Sequence, residues 1–226
     1  MDWVHPSGLN ERVVAKVAAR RGRLHAYESL VPARTALVVI DLTLGSIDSD
    51  PKCCTVVEPI NRLASTLRDA GGVVAWITPA PADRVNPGLV AIVGADRAQM
   101  FFEQARADNP QSALWLGLNT DQADLFVQKA GASAFFPGKC ALPDHLRRAG
   151  VDTVLIVGTV TNVCCESSAR DAVELGFRAI MVSDALAGHA FGLHEASLTT
   201  FYRIFGDVRP VDEVVDLIRL SAPSSD

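Results

Sequence analysis

The sequence lacks any apolar run long enough to span a bilayer, and its opening residues, MDWVHPSGLNER, lack the charged-then-apolar order of a secretory signal. Both absences point to a cytoplasmic protein with no membrane partner. There is no basic excess: 21 Lys and Arg stand against 26 Asp and Glu, a net charge of −5, so nothing favours nucleic acid or an anionic surface. The five cysteines are odd in number and include two adjacent pairs, Cys53-Cys54 and Cys164-Cys165, which suit neither a disulfide framework nor a zinc cage. A C-x-x-C redox pair is missing, and a vicinal disulfide in its place would be strained. No G-x-G-x-x-G follows the first apolar run and there is no P-loop, so a phosphate would lack its usual glycine cradle. Free thiols in a globular protein remain.

What is present is a chain of 226 residues, 49% hydrophobic and 21% charged, long enough for one domain with a full core. Apolar runs with strand character lie at residues 36–40, 73–77, 125–127, 154–157 and 179–182, and residues 207–209 are a candidate for a short last strand. Between them fall segments of helical spacing: 9–21, 55–70 with Pro59 in the first turn, 97–106, 142–149, the segment after Cys164, 194–205 and 211–220. Asp48 and Asp50 are expected in an exposed loop without a role, and the tail SAPSSD is expected to fray. Residues 78–124 form a long stretch without clear period, the kind of connection that carries specificity; Thr78 and Trp115 there are candidate substrate contacts.

Strands alternating with helices predict an α/β fold with a parallel sheet covered on both faces, and right-handed crossovers gather the strand ends on one edge. Asp41 ends the first strand, Lys129 follows the third, and Cys164 opens the helix after the fourth. Singly, each has a plain explanation: a loop-capping acid, a solvated lysine, a small core residue. Together an acid, a cation and a thiol make a nucleophilic site. The unpartnered amides and dipole of a helix start favour a thiolate, and Lys129 is expected to help.

Four stretches carry a resemblance: GTVTNVCCESSARDA at 158–172, ALVVID ending at Asp41, Lys129 followed by Ser133-Ala134-Phe135, and VSDA at 182–185. In these the chain resembles the isochorismatase-like cysteine hydrolase superfamily, which includes nicotinamidases, N-carbamoylsarcosine amidases and ureidoacrylate amidohydrolases, over about residues 35–208. The resemblance implies a single-domain, doubly wound six-stranded parallel sheet at residues 35–226, preceded by an N-terminal helix and approach at 1–34. It implies a catalytic triad of Asp41, Lys129 and Cys164, with Cys164 the nucleophile because it lies three residues after Thr161. It further implies a cis peptide before Val160, turning the Val160 and Cys164 amides inward as an oxyanion hole, and assembly as a homodimer or homotetramer.

Departures from that pattern narrow the expectation. Asp41 is followed by Leu42-Thr43-Leu44-Gly45 where many members have a methionine-glutamine pair. The stretch TPAPADRVNPG holds Asp83 but no histidine, and none of the five histidines lies between residues 26 and 144, so a nicotinamidase-type metal site, and any cofactor, is not expected. A cysteine in the motif argues against isochorismatase chemistry itself. The expected activity is cysteine-dependent hydrolysis of a small amide or ureido compound. The alternatives are a nicotinamidase-like hydrolase of pyridine amides without the metal, and a non-catalytic binding scaffold, favoured if Asp41, Lys129 and Cys164 lie apart. His189, after the fifth strand, is a further candidate substrate contact, and His194 is expected to be a packing residue at a helix start.

Overall fold

A strand that is apolar at every position needs cover on both faces. In the computed structural model, which describes residues 9–81, 83–106 and 108–221, β1 (Thr35–Ile40) meets that condition with all its residues buried. It is joined by β2 (Val73–Pro79), β3 (Leu125–Lys129), β4 (Thr153–Thr159), β5 (Arg178–Ala187) and β6 (Asp207–Arg209). Among the described residues these six strands form one sheet in the order β3-β2-β1-β4-β5-β6, every pair parallel. The chain builds outward from β1 to β3, returns to the other side of β1 with β4, and builds outward again. The order therefore reverses between β1 and β4, where such sheets open a crevice at their carboxyl ends.

The helices are α1 (Glu11–Arg21), α2 (Leu44–Ser49), α3 (Val57–Asp69), α4 (Pro87–Val93), α5 (Ala95–Gln104), α6 (Leu142–Arg148), α7 (Glu166–Glu174), α8 (Phe191–Ile204) and α9 (Val211–Ser221). Successive strand residues point to opposite faces, and two cores follow. Ala36, Val38 and Ile40 pack with residues of α1, α6, α7 and α8. Leu37 and Val39 pack with residues of α3 and α9. Arg20 and Arg21 tie α1 to the main chain of α8 at Arg203 and Tyr202. Among the described residues no helix is long and apolar enough to cross a membrane.

Several elements differ from their sequence expectation. Asp48 lies in α2 rather than a loop, because Thr43 and Ser46 form a reciprocal capping box that starts a helix there. Asp50 caps the following 3-10 turn, Pro51–Val56. Residues 78–124 contain two helices, α4 and α5, parted by Gly94 at φ 85°. β5 does not end at Ser183-Asp184 but runs on to Ala187, and Asp184 accepts from the Val211 amide at 2.7 Å, capping α9. β4 runs through Gly158 instead of turning there. β3 runs on through Gln128, so Lys129 is its last residue rather than past its end. The tail SAPSSD falls outside the described residues after Ser221, as do residues 1–8.

Candidate active site

β1 and β4 are neighbours, with Ile40 opposite Gly158 in register, so the residues just past their ends are neighbours too. Past β1 comes Asp41, with φ 53°, a left-handed conformation that Asp tolerates better than most residues. Its amide bonds to the Ile77 carbonyl of β2 at 3.0 Å, which fixes where the carboxylate starts. Past β4 the peptide Thr159-Val160 is cis, at the position the resemblance implied. A π-helical turn, Thr161–Cys165, follows, closed by Cys165 N–H to Val160 O at 3.3 Å. Such turns are rare and recur at functional sites. Thr161 and Cys165, its ends, are fully buried, while Val163 is exposed and Cys164 partly so. Cys165 points its sulfur at the Val157 carbonyl within the core. Cys164 therefore sits two residues ahead of α7, on the open side of the turn.

Lys129 arrives from β3, separated from β1 by β2. Two strand spacings are about 10 Å, a gap that a lysine can bridge and a short side chain cannot. Its Nζ lies 2.8 Å from Asp41 Oδ2, 3.5 Å from Cys164 Sγ and 2.9 Å from Gly131 O. An ammonium has three N–H donors, and all three are engaged. The group is buried, at 4% exposure, so it is held rigidly and has no donor left for a ligand. Asp41 Oδ1, in contrast, is buried with no hydrogen-bond partner. It is the carboxylate oxygen available to take a proton.

The electrostatics run against one expectation. Burial pushes the Cys164 thiol up, the Asp41 charge pushes it further, and Lys129 only partly opposes them, leaving it at about 12. Burial and the Asp41 charge thus work against the thiolate that the helix start and Lys129 were expected to favour. A buried thiol loses more solvation on ionising than a helix start and one shared cation return. Burial also works against the Lys129 charge, but Asp41 and Cys164 outweigh it and hold the ammonium above its ordinary range.

Ser168, one helical turn after Cys164, donates to the Cys164 carbonyl at 2.6 Å and accepts from the Ala134 amide at 2.9 Å. It ties the segment after Lys129 to the cysteine turn, and the i, i+4 spacing of Cys164 and Ser168 was the only sequence signal for it. His194 lies a full turn into α8, fully buried, and its Nδ1 is 2.9 Å from Thr161 Oγ1; it is a hydrogen-bonding residue as well as a packing one.

The candidate substrate contacts Thr78, Trp115 and His189 each have surroundings of their own. Thr78 alternates with Trp76 and Val74 toward the α3 and α9 face, whereas Lys129 follows Val127 on the other. Trp115 packs against the α3 and α9 core, its amide on the Leu42 carbonyl at 2.9 Å, one residue past Asp41. His189 is exposed, with Nδ1 3.0 Å from Asp50 Oδ2, so Asp50, which the sequence left without a role, orients it. Among the described residues no group of three or more His, Cys, Asp or Glu is placed to hold a metal ion.

Known proteins share this arrangement of elements. A cysteine hydrolase from Pseudomonas syringae superposes with a TM-score of 0.76 at 26% identity, covering 87% of this chain and 98% of that one. In sequence, the chain is 32% identical to the maleamate amidohydrolase of Pseudomonas putida over 192 residues, 82% of this chain and 87% of that protein. It is 30% identical to an isochorismatase family protein of Bacillus subtilis over 189 residues, 82% of this chain and 95% of that protein. The Isochorismatase domain matches residues 35–213, from the first residue of β1 into α9. With that match spanning the whole sheet and both of its helical layers, the chain belongs to the isochorismatase family of hydrolases.

Proposed function

We propose that this chain is a cysteine-dependent amidohydrolase that cleaves the C–N bond of a small carboxamide or ureido compound through an acyl-thioester. The observation that carries it is the single ammonium of Lys129 in contact with both Asp41 Oδ2 and Cys164 Sγ. Convergence of the three groups favours a hydrolase over a binding scaffold, and similarity to a maleamate amidohydrolase favours a C–N bond.

The chemistry starts from the neutral thiol. As Sγ approaches the substrate carbonyl, its proton passes to Asp41 Oδ1, so the charge on sulfur is used as it forms. The carbonyl oxygen becomes an oxyanion, which the Val160 and Cys164 amides receive; one such donor is worth about 3 kcal/mol in comparable sites. Collapse of the tetrahedral intermediate breaks the C–N bond, and Asp41 returns its proton to the leaving nitrogen. Water then attacks the thioester, giving its proton to Asp41, which hands it to the departing sulfur. Acid and thiol are restored. Lys129 stays charged throughout and stabilises whichever neighbour is negative. His189, just past β5 and oriented by Asp50, is assigned as a contact for the part of the substrate that does not react.

Ammonia release from a panel of maleamate, ureidoacrylate, N-carbamoylsarcosine and nicotinamide tests this function, with mass spectrometry of quenched enzyme to locate the acyl group. Release accompanied by an adduct on Cys164 is expected. Turnover of nicotinamide alone would select the pyridine-amide alternative. No release from any of the four, with no adduct, would remove the hydrolase.

A further inference from the structure

The turn that carries the nucleophile is anchored by something other than its own backbone. Of its residues Thr161 to Cys165, only the two ends are fully buried. Cys165 is held by apolar packing. Thr161 is held by polar contacts: Oγ1 lies 3.0 Å from the Ala187 carbonyl and 2.9 Å from His194 Nδ1. A hydroxyl has one proton to give, and a carbonyl can only accept, so the Thr161 proton goes to Ala187. The hydroxyl then offers only lone pairs to the imidazole, and His194 must donate from Nδ1. That fixes the tautomer of a histidine with no solvent exposure. The same hydroxyl therefore ties the start of the nucleophile turn to the last residue of β5 and to the first turns of α8.

We propose that His194 is a positioning residue for the oxyanion donors, acting through Thr161. The inference rests on the hydrolase function proposed above. Val160 precedes Thr161 and Cys164 follows it by three residues, so the orientation of both amides depends on how Thr161 is held. Nothing in the sequence places His194 near that turn; a residue 33 positions away reaches it only because β5 runs on to Ala187 beside Thr159. His194 touches neither the substrate carbonyl nor the sulfur. Its effect belongs to the step that builds the oxyanion and leaves the intrinsic reactivity of Cys164 unchanged.

Two probes separate those effects on the full chain. Hydrolysis of p-nitrophenyl acetate builds an oxyanion at the acyl carbon, whereas alkylation of Cys164 by iodoacetamide is a displacement at a saturated carbon and builds none. Thr161→Val removes the hydroxyl at nearly constant volume, and His194→Leu removes the donor. Each is expected to lower kcat for nitrophenolate release roughly 10- to 100-fold, as a misplacement near 1 Å does, with KM within about threefold. Cys164 alkylation, read by mass spectrometry against a Cys164→Ala blank, is expected to stay within about threefold. His194→Asn places an amide N–H where Nδ1–H was, and Thr161→Ser keeps the hydroxyl; both are expected to retain most of the activity. The double variant Thr161→Val/His194→Leu should be no worse than the weaker single one. The proposal is overturned if the single variants keep wild-type kcat, if alkylation and ester hydrolysis fall together, or if His194→Asn is as impaired as His194→Leu. A wild-type protein inactive toward the ester and the four amides, with Cys164 still alkylated, would instead point to failure of the hydrolase function itself.

Discussion

At Cys164, burial together with the Asp41 charge favours the neutral thiol, and Lys129 only partly opposes them. Two consequences can be measured at this scale. The rate of Cys164 alkylation by iodoacetamide should climb through pH 9 and 10 without levelling, because the thiol is pushed up to about 12, well above a free cysteine near 8.5. A plateau below pH 8 would instead mean a preformed thiolate. Amide hydrolysis should fall at least about 1,000-fold in Cys164→Ala and Asp41→Asn, in line with loss of a nucleophile or a general base. Asn suits the left-handed backbone at position 41 as well as Asp does, so Asp41→Asn removes the proton acceptor and the partner of Lys129 without adding backbone strain. Cys165→Ala should keep most activity, since its sulfur faces Val157 in the core. An acyl adduct on Cys165 would overturn the assignment.

At the scale of elements, the site depends on how closely β4 lies against β1. Gly158 has φ 110°, and a Cβ there would fall 2.2 Å from the Ile40 carbonyl oxygen. Gly158→Ala therefore meets both a backbone penalty and a collision with a rigid main chain that cannot rotate away. A loss of roughly 3 kcal/mol or more is expected from the two together, a fall of roughly 6–12 °C in Tm for a chain of this size. Calorimetry checks it, and an unchanged Tm would mean that the two strands part easily. Much at this scale was legible beforehand. The runs of β1, β2 and β4 are apolar because parallel strands are buried on two sides, and that pattern survives in one dimension. The start of α2 was not, because it depends on Thr43 and Ser46 exchanging hydrogen bonds rather than on periodicity. The second half of β5 was not legible either, since Ser183 and Asp184 look like a strand end until Asp184 is seen capping α9.

Across the whole molecule, buried carboxylates hold separate parts of the chain together. Burial works against the charge on Asp124, but hydrogen bonds from Arg68 and the Trp76 indole hold it below the usual carboxylate range. Asp207 is likewise held down against burial by His25 and Arg209, joining the segment before β1 to β6. A carboxylate lowered in the folded state adds stability that is present above its unfolded value and is lost as pH falls through the folded one. With an ordinary value of 3.8, the expected loss begins near pH 4 and deepens below it. Urea midpoints at pH 7, 5 and 3 should fall mainly in the last interval. In Asp124→Asn the midpoint should be lower at pH 7 and the drop at pH 3 smaller. An equal drop in the variant would show that Asp124 is not among the groups responsible.

The sequence by itself determined the class of fold and pointed to Asp41, Lys129 and Cys164 at the strand ends, because burial and strand polarity leave their mark along the chain; that the three side chains meet is seen only in the fold. The tertiary structure decided what distance and dielectric control. It set how strongly burial opposes ionisation of the thiol, which depends on how much solvent a neighbourhood excludes. It engaged every donor of Lys129. It also brought His194 under the turn that Cys164 occupies, a contact between residues far apart in the chain that exists only because β4 and β5 lie side by side.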